Sequence, residues 1–534
     1  MELTAKSKTM MQQIIISKLN SYISSWEDRI FLLLVLLYLL PIWSIQFFPS
    51  QDGPSHVYNA LIVKEYFNTN EYPLFHKYYD LNAKPMPNWF GHATMAILMF
   101  IVNPLIAEKL LLSGYVLLFL LSGRYLLINV DSTKKWLALA LFPFVYNYLL
   151  NMGFYNFSYS VGFFLLAVGY WWKHHQNLRL KHAAILNLIM VCCYFSHMVS
   201  TVIALLSIAV LWLVTIRLNT IKKHLLQIPM LLPSCIFPLW FVVSHGTTSH
   251  GSHWPSKRLF NYFTALEVFY SFDNFQLYIG KILVFYFLVS LLVSIFTNKL
   301  RWAERFRKPH LQKEDGFLLL SITCLILYIT VPDGMSGGGF ITHRLSLYPY
   351  LILLPWLYGT LKQPIKWLST TVLVVLALVN LVYLMRWYPM LDKDMKEFRS
   401  GVEAVEPNKT IMPLIFNNHG HCDRIGMFLH AIGYYCAYTK GVEWDNYEAT
   451  TNYFPIMYKP ALNSIRPNTG IIEGHPQDMD IAANVNLVDY ICAWAMPLNS
   501  AIQQRIEEHY KLVFEKGRTR IYRRLKKTPN QTKD

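Results

Sequence analysis

Residues 29–66 read RIFLLLVLLYLLPIWSIQFFPSQDGPSHVYNALIVKEY, and this stretch decides the fold class. Its first half is an apolar run long enough to cross a bilayer, which takes about 20 residues. The chain then presents Asp52, Gly53, Pro54 and His56 in close succession. A loop that only joins two spans needs neither a carboxylate nor an imidazole. The pattern therefore predicts a membrane span followed directly by a functional loop.

The composition extends this interpretation to most of the chain. Of 534 residues, 54% are hydrophobic and only 15% are charged, whereas soluble domains carry about 25% charged residues. Apolar runs recur along the first 386 positions, which predicts a polytopic α-helical membrane protein with about 11–12 spans. The net charge of +16 is explained by Lys and Arg in cytoplasmic loops, so we expect no nucleic-acid partner.

We place the spans near 29–48, 106–129, 136–150, 157–172, 183–197, 200–215, 225–243, 276–297, 316–332, 345–360 and 367–386. Residues 90–103 fit either a short span or a helix lying at the interface. With an internal N-terminus and 90–103 not crossing, the inside segments hold 19 Lys or Arg and the outside loops hold 6. This asymmetry is the one that the positive-inside rule requires.

The predicted organisation has three parts. Residues 1–28 form a cytoplasmic N-terminal tail, and residues 29–386 form a transmembrane domain whose first external loop spans 49–89. Residues 387–534 form a small external α/β domain, because their composition changes and their number suffices for a domain. We expect the bacterial inner membrane, with the loop and the C-terminal domain on the periplasmic face.

Within the C-terminal part, TIMPLIFNN and LVDYICAW are typical of strands, and RIGMFLHAIGYYCAYT and SAIQQRIEEHYK of helices. KLVFEKGRTRIYRR predicts a strand, a glycine turn and a second strand. The cysteines Cys422, Cys436 and Cys492 allow one disulfide without choosing a pair. No CxxC pair exists, which argues against a metal knuckle.

Asp52 is the candidate catalytic residue. It lies in a loop of about 40 residues, and a loop of that length with its own helices is more often functional than a plain connector. The segment VYNALIVKEYF in this loop is amphipathic and could lie along the membrane. The alternative is that Asp52 caps a helix beginning near Pro54. The two roles are compatible, since a cap also holds the carboxylate rigidly.

Further candidates for substrate or phosphate binding follow from position. His56 lies one helical turn from Asp52 and could bind a phosphate or orient the carboxylate, or be a local structural partner. Asp80 is a second carboxylate of the same loop. His197 lies between two apolar runs near the external face, where an ionisable group is by default a candidate functional residue. The alternative is that His197 is a packing residue.

The segment VPDGMSGGGFITHRLSLYPY, residues 331–350, supplies a cationic candidate. Its glycines predict a closely approached loop. Arg344 follows beside His343 at the mouth of a span, where a guanidinium suits a phosphate or pyrophosphate; the alternative is an Arg that reaches to the interface. Residues 244–254, SHGTTSHGSHW, carry three His but no helical scaffold, and we predict a polar loop rather than a metal site.

These features together resemble the GT-C class of membrane glycosyltransferases. An acidic residue follows the first span in a long external loop, and PMPNWFGHATMAI, residues 85–97, resembles the Pro-, Trp- and His-bearing entry to the next segment. About a dozen hydrophobic segments follow, with an external α/β domain at the end. The resemblance covers the whole chain in architecture and about 50 residues in motif.

The resemblance implies a polyprenyl- or dolichyl-phosphate sugar donor and inverting transfer on the external leaflet to a glycan, lipid or protein. Asp52 matches the acidic position of the first loop, which acts as base or positions the acceptor. Many members carry two adjacent acids there, whereas Asp52 is followed by Gly53 and Pro54. This departure argues against a metal-bridging role, so no cofactor or metal ligand is predicted and dependence on a divalent metal stays open.

Two other functions compete with the transferase. A catalytically inactive GT-C-like scaffold for surface-glycan assembly would explain the missing second acid. A lipid or polysaccharide transporter would use the same membrane architecture. The predicted spans contain no mid-membrane Asp or Glu, and ion-coupled transporters usually bury such carboxylates on their pathway. The sequence therefore favours a site facing the membrane surface.

Overall fold

The computed structural model describes residues 25–217, 219, 221–246, 251–297, 312–335, 338–358, 361–462 and 469–526. The chain is a polytopic, mostly α-helical protein. The residues that follow helix Gln363–Phe398, called the C-terminal part below, contain a mixed sheet. This confirms the predicted fold class. Most of the predicted N-terminal tail and His250 of the predicted polar loop lie outside the described residues.

The membrane part is built from helices of very different lengths. In chain order they are Trp26–Leu37, Leu40–Trp43, Gly53–Glu65, Pro73–Tyr78, Phe90–Leu98, Pro104–Val130, Phe142–Val145, Tyr148–Asn151, Tyr155–His174, Leu180–Ser196, Met198–Thr215, Ile221–Leu225, Gln227–Leu231, Ile236–His245, Ser256–Thr264, Phe275–Thr297, Asp315–Thr330, Ile341–Leu345, Tyr348–Leu353 and Gln363–Phe398.

Some of these helices are long and apolar enough to cross a membrane: Pro104–Val130, Met198–Thr215, Ile221–His245 taken as one unit, Phe275–Phe296 and Gln363–Ala404. Leu180–Ser196 and Asp315–Thr330 are also apolar but shorter. Predicted span 29–48 is divided into helices Trp26–Leu37 and Leu40–Trp43. Predicted spans 136–150 and 345–360 are likewise broken into short helical pieces. Pro143 and Pro349 begin such pieces, since proline cannot continue a helix from within. Both segments are buried by protein, which is the condition under which broken backbone is tolerated at membrane depth.

The first loop differs from its prediction. The segment predicted to lie along the membrane belongs to helix Gly53–Glu65, whose residues 53–62 are all buried. The C-terminal part covers it: a Cβ built on Gly433 would lie 2.5 Å from the Pro54 carbonyl oxygen. Asn59 and Asn446 also exchange side-chain hydrogen bonds of 2.6 and 3.2 Å. The helix is therefore an internal element between the two parts.

The ambiguous segment 90–103 forms the 9-residue helix Phe90–Leu98. At 1.5 Å per residue such a helix is about 14 Å long, too short for a hydrocarbon core of about 30 Å. It packs against helix Gly53–Glu65 and against the following long helix. The non-crossing interpretation therefore agrees with the structure.

The C-terminal sheet has the strand order β3-β2-β5-β7-β6, formed by β2 Thr410–Ile415, β3 Val442–Glu443, β5 Tyr490–Trp494, β6 Tyr510–Lys516 and β7 Thr519–Arg524. Strand β2 is parallel to both neighbours, and β7 is antiparallel to both of its own. Gly517 turns the β6–β7 hairpin with φ of +56°. All four predicted strands are confirmed.

A second, two-stranded sheet connects the first loop to the C-terminal part. Strand β1, Tyr79–Leu81, pairs antiparallel with β4, Ile456–Tyr458. The shorter helices of this region are Gly433–Thr439, Thr469–Gly474, Ile481–Asn484 and Ala501–Glu507. Of the predicted helix RIGMFLHAIGYYCAYT, only Gly433–Thr439 is helical, because the preceding residues form tight turns that reach into the site described below.

Two further expectations are corrected here. The predicted boundary at 386/387 falls inside helix Gln363–Phe398, which carries the last span directly into the C-terminal part. All seven cysteines are free, so the disulfide considered among Cys422, Cys436 and Cys492 is absent. These three thiols are buried in the apolar core, where a small hydrophobic side chain is sufficient reason for cysteine.

Gly433→Val tests the contact between helix Gly53–Glu65 and the C-terminal part. A side chain there overlaps Pro54 backbone atoms at 2.5–2.7 Å, so we expect a loss of about 1–3 kcal/mol of unfolding free energy. The measurement is thermal unfolding in lipid nanodiscs. Gly474→Ala is the control, because a Cβ at Gly474 meets nothing within 4 Å. Equal stability of the two variants would contradict the packing.

Candidate functional site

The backbone around Asp52 is fixed before its side chain is considered. Gln51 N–H donates to the Asn151 carbonyl at 3.0 Å, and Asp52 N–H donates to the Met152 carbonyl at 3.2 Å. Gly153 has φ of +90°, and a Cβ built on it would lie 2.7 Å from the Cβ of Asp52. Only glycine allows this approach. The turn at 151–153 therefore determines where the Asp52 carboxylate lies.

Asp52 occupies the N-cap position of helix Gly53–Glu65 but makes no side-chain capping hydrogen bond. The Ser50 hydroxyl accepts the Gly53 N–H instead, at 3.1 Å. The alternative that the carboxylate serves as a cap is therefore wrong. The Asp52 side chain points into a buried cluster, where Gln51 Nε2 donates to it at 3.2 Å and His430 Nε2 lies 3.6 Å from it.

Burial sets the protonation of Asp52. Desolvation raises the pKa of this carboxyl to about 7, although the nearby His56 charge and hydrogen bonds from Gln51 and Tyr447 act to lower it. The Glu448 carboxylate acts in the same direction as burial. A carboxyl with a pKa near neutrality can take or give a proton at the working pH, which is the property of a general acid or base.

A histidine–carboxylate cluster lies directly beside Asp52. Glu448, from the C-terminal part, accepts from His56 Nδ1 at 2.5 Å and from His92 Nε2 at 2.9 Å. The other ring nitrogens face backbone carbonyls, with His56 Nε2 donating to Gly153 at 2.8 Å and His92 Nδ1 to Asn88 at 3.1 Å. The three side chains are almost fully buried, so their charges are shielded from water.

The proton count of this cluster follows from its geometry. His56 faces an acceptor with each ring nitrogen, the Glu448 carboxylate and the Gly153 carbonyl, so an ionised Glu448 is best satisfied by a doubly protonated His56 ring. The pKa of Glu448 is accordingly lowered by the two histidines against its own desolvation, and the pKa of His56 is raised by Glu448 despite burial. His56 and Glu448 thus form a buried ion pair next to Asp52.

The same three residues could instead hold a metal ion. Their ligand atoms all lie within 4.8 Å of one another. The carbonyls of Gly153 and Asn88 fix the tautomer of each imidazole, as backbone acceptors commonly do behind metal-ligating histidines. The sequence analysis assigned no metal ligands, so this His–His–Glu group is a feature that only the structure reveals.

Arg344 forms the opposite, cationic side of the site. It is 9% exposed, so the alternative that it reaches to the interface is wrong. Its guanidinium lies 4.7 Å from the centroid of the Phe154 ring, and its Nη1 donates to the Gly339 carbonyl. Its Nε is buried with no hydrogen-bond partner among the described residues. Arg344 and Asp52 interact electrostatically, so a buried cation and a buried carboxyl share one site.

A second arginine reaches this region from the C-terminal part. Arg424 lies 4.0 Å over the Tyr148 ring and donates to the carbonyls of Glu267 and Tyr270 at 3.0 and 3.2 Å. Tyr148 packs on His343 at a ring distance of 5.8 Å. His343 interacts electrostatically with both arginines. Two guanidinium groups therefore lie within electrostatic range of His343.

The remaining predicted residues divide into two groups. His343 lies 3.8 Å from the Asp333 carboxylate, between the arginines. His197 accepts from the Val199 N–H at 3.2 Å and caps a helix while facing Arg344, so it has a structural role at the site's edge. Asp80 lies apart from the cluster, in β1, 3.9 Å from Lys459. The structure thus brings His56 and Arg344 into electrostatic range of Asp52, and His343 and His197 into range of Arg344, whereas Asp80 lies apart.

Five residues of the site were not singled out by the sequence: His92, Arg424, His430, Tyr447 and Glu448. His92 lies in the quoted segment 85–97, so the signal was present there but was read only as a family feature. The other four lie in turns and a short 3-10 helix between residues 424 and 450, all more than 370 positions from Asp52. No local spacing connects them to the first loop.

Comparison with known proteins identifies the fold only. No protein-family model matches the chain, and no curated protein matches it. Among solved structures, the crystal structure of ArnT from Cupriavidus metallidurans in the apo state is similar, with a TM-score of 0.53 and 9% sequence identity. The match covers 92% of this chain and 97% of that chain. The chain therefore has a GT-C-like fold over almost its whole length.

Glu448→Gln tests the buried histidine cluster. Removing the carboxylate leaves imidazoles uncompensated, so we expect a loss of about 3–5 kcal/mol of unfolding free energy. The matched control is Glu71→Gln, whose exposed pair with Lys440 should contribute at most about 1 kcal/mol. Thermal unfolding of both variants in nanodiscs decides the point. A loss no greater than that of the control would show that Glu448 does not hold the cluster together.

Proposed function

We propose that this chain is a membrane glycosyltransferase that moves a sugar from a polyprenyl-phosphate donor to an acceptor on the external face, with inversion. The observation that carries the proposal is the buried Asp52 carboxyl in a cluster of titratable side chains, with His430 Nε2 3.6 Å away and the buried Arg344 within electrostatic range. The site follows the first apolar helix of a GT-C-like fold. A lipid-borne donor and a water-borne acceptor can meet at such a place.

The proposed reaction is a single displacement. The acceptor hydroxyl attacks the anomeric carbon, the new C–O bond forms as the bond to the lipid phosphate breaks, and the proton of the hydroxyl passes to Asp52. A base with a pKa of about 7 matches the operating pH and still accepts a proton effectively. Attack from the face opposite the leaving phosphate inverts the anomeric centre.

The leaving group is a lipid phosphate, whose negative charge needs cationic stabilisation. The buried, unpartnered Nε of Arg344 is a free donor for an oxygen of that phosphate. Arg424 and His343 lie on the same side of the site. Burial raises the pKa of Asp52 and the neighbouring His56 lowers it, so His56 favours the ionised form of the base.

The two competing functions predict different experimental results from the transferase. An inactive scaffold would keep surface glycan when Asp52 is changed and lose it when the C-terminal part is removed. A transporter would move lipid across proteoliposomes without any donor. The convergence of titratable groups on Asp52 favours chemistry over both, because perturbed carboxyls with fixed cationic partners are typical of catalytic sites.

Asp52→Asn should lower the rate of sugar transfer by at least about 100-fold at unchanged protein level, since general base catalysis contributes about 10²–10⁴. The measurement is the profile of lipid-linked sugars and surface glycan in cells carrying the variant. We expect unused donor to accumulate. Asp80→Asn is the matched control from the same loop and should retain transfer, because Asp80 pairs with Lys459. Intact transfer in Asp52→Asn would refute the proposed base.

The pH dependence gives an independent reading of the same residue. Because Asp52 must be ionised to accept a proton and burial raises its pKa to about 7, kcat/KM should fall about tenfold per unit as the pH drops below that value. An unperturbed Asp would leave the rate flat down to about pH 4. Membranes assayed between pH 5 and 8.5 distinguish the two, with flat behaviour contradicting the assignment.

Arg344→Gln should weaken donor use, because it removes a charged donor from the leaving phosphate. We expect kcat/KM to fall by at least about tenfold, given about 1.5–3 kcal/mol for a hydrogen bond to a charged group. Arg523→Gln is the control, since Arg523 pairs with Glu406 on the surface. Unchanged kinetics in Arg344→Gln would place the phosphate elsewhere.

A further inference from the structure

A polar cavity of about 260 Å³ lies in the C-terminal part, and its lining residue Glu473 lies 4.0 Å from His430 of the Asp52 cluster. It begins where strand β2 ends, and its wall continues through the following residues 416–419 to helix Thr469–Gly474. Strand β2 is parallel to β3 and β5. Ligands of open sheets bind outside the carboxyl ends of parallel strands, and this cavity lies at that edge.

The lining has the chemistry of a hydroxyl-binding site. Its polar side chains are Asn417, Asn418, His419, Glu473 and Gln477, so amides, an imidazole and a carboxylate supply both donors and acceptors. Phe416 and Pro476 add apolar surface against which the C–H face of a sugar ring can pack. Among the described residues of this lining, Glu473 is the one with an acidic or basic side chain other than histidine, and its carboxylate disfavours an anionic ligand.

Two buried polar atoms on this side of the site have no partner among the described residues. Asn418 donates through Nδ2 to the Glu473 carbonyl at 3.3 Å, but its Oδ1 is buried and unpaired. The Nδ1 of His430 is likewise unpaired, and the side chain of His430 is only 5% exposed. Unsatisfied buried groups are costly, so their presence beside a cavity indicates a ligand that completes them.

The cavity and Asp52 are separated by one side chain and one glycine. His430 lies between them, with Nε2 3.6 Å from Asp52 Oδ1 and Nδ1 4.0 Å from Glu473 Oε1. Gly426 N–H donates to Gln51 Oε1 at 3.2 Å, and a Cβ on Gly426 would lie 3.7 Å from Asn418. A ligand seated in the cavity therefore lies one residue away from the proposed base.

We infer that this cavity is the acceptor subsite, which binds a neutral, hydroxyl-rich sugar unit of the acceptor and presents the adjoining hydroxyl to Asp52. The inference rests on the proposed transferase function and names the substrate class of that site. The volume lies near the lower limit of ligand pockets, about 300–1,000 Å³, and suits one sugar unit. Asn417 and His419 are exposed, so the acceptor enters from the aqueous side.

The test uses the full chain in lipid nanodiscs and a panel of methyl hexopyranosides as probes, with binding followed by saturation-transfer NMR and titration. We expect at least one neutral glycoside to bind in the millimolar range. Asn418→Ala and Glu473→Gln should each weaken it by at least tenfold. Asn452→Ala, at an exposed asparagine of the same part, should bind as the wild type does.

Each outcome decides the inference. Absence of binding by every glycoside, equal binding by the Asn418 and Glu473 variants, or tighter binding of a methyl hexuronoside would overturn it. Failure of the transferase proposal gives a different result: glycosides bind as expected, but Asp52→Asn leaves surface glycan intact. Glu473→Gln keeps the shape of the side chain, so a loss of binding with unchanged thermal unfolding is not a folding defect.

Discussion

The site depends on one buried carboxylate, Glu448, that crosses from the C-terminal part to the first loop. It accepts from two histidines of the membrane-proximal part, and each histidine is held by a backbone carbonyl on its far side. An uncompensated charge at this depth is far more costly than a satisfied one. The two parts of the chain are therefore held in one arrangement by an ion cluster that neither part can form alone.

This constraint explains why the catalytic candidate is composite. Asp52 is positioned by the turn that contains Gly153, and its environment is completed by His430 and Tyr447 from the C-terminal part. Its pKa is raised by burial under that part. A single loop at the membrane surface would leave the carboxyl hydrated and fully ionised. Docking of the C-terminal part converts an ordinary aspartate into a group suited to proton transfer.

The cationic groups of the site, Arg344 and Arg424, also come from different parts of the chain. Arg344 is buried on aromatic rings rather than extended into the interface, so its charge is weakly hydrated and available to a ligand. Arg424 reaches the same region from the C-terminal part while stacked on Tyr148. The short, broken helices predicted as full spans form the walls around these groups, because helices interrupted at Pro143 and Pro349 leave room for turns at membrane depth.

The sequence by itself determined the polytopic helical class, the C-terminal sheet with its strands, and the place of Asp52 after the first apolar segment. These depend on hydropathy, on strand and turn patterns, and on chain order, which are local properties. It also indicated Arg344 and His56. Only the tertiary structure decided that Asp52 does not cap its helix, that helix Gly53–Glu65 is internal, and that Asp80 lies apart. It also brought His92, His430 and Glu448 to Asp52, because burial and proximity across hundreds of positions arise from packing between distant segments and have no local sequence pattern.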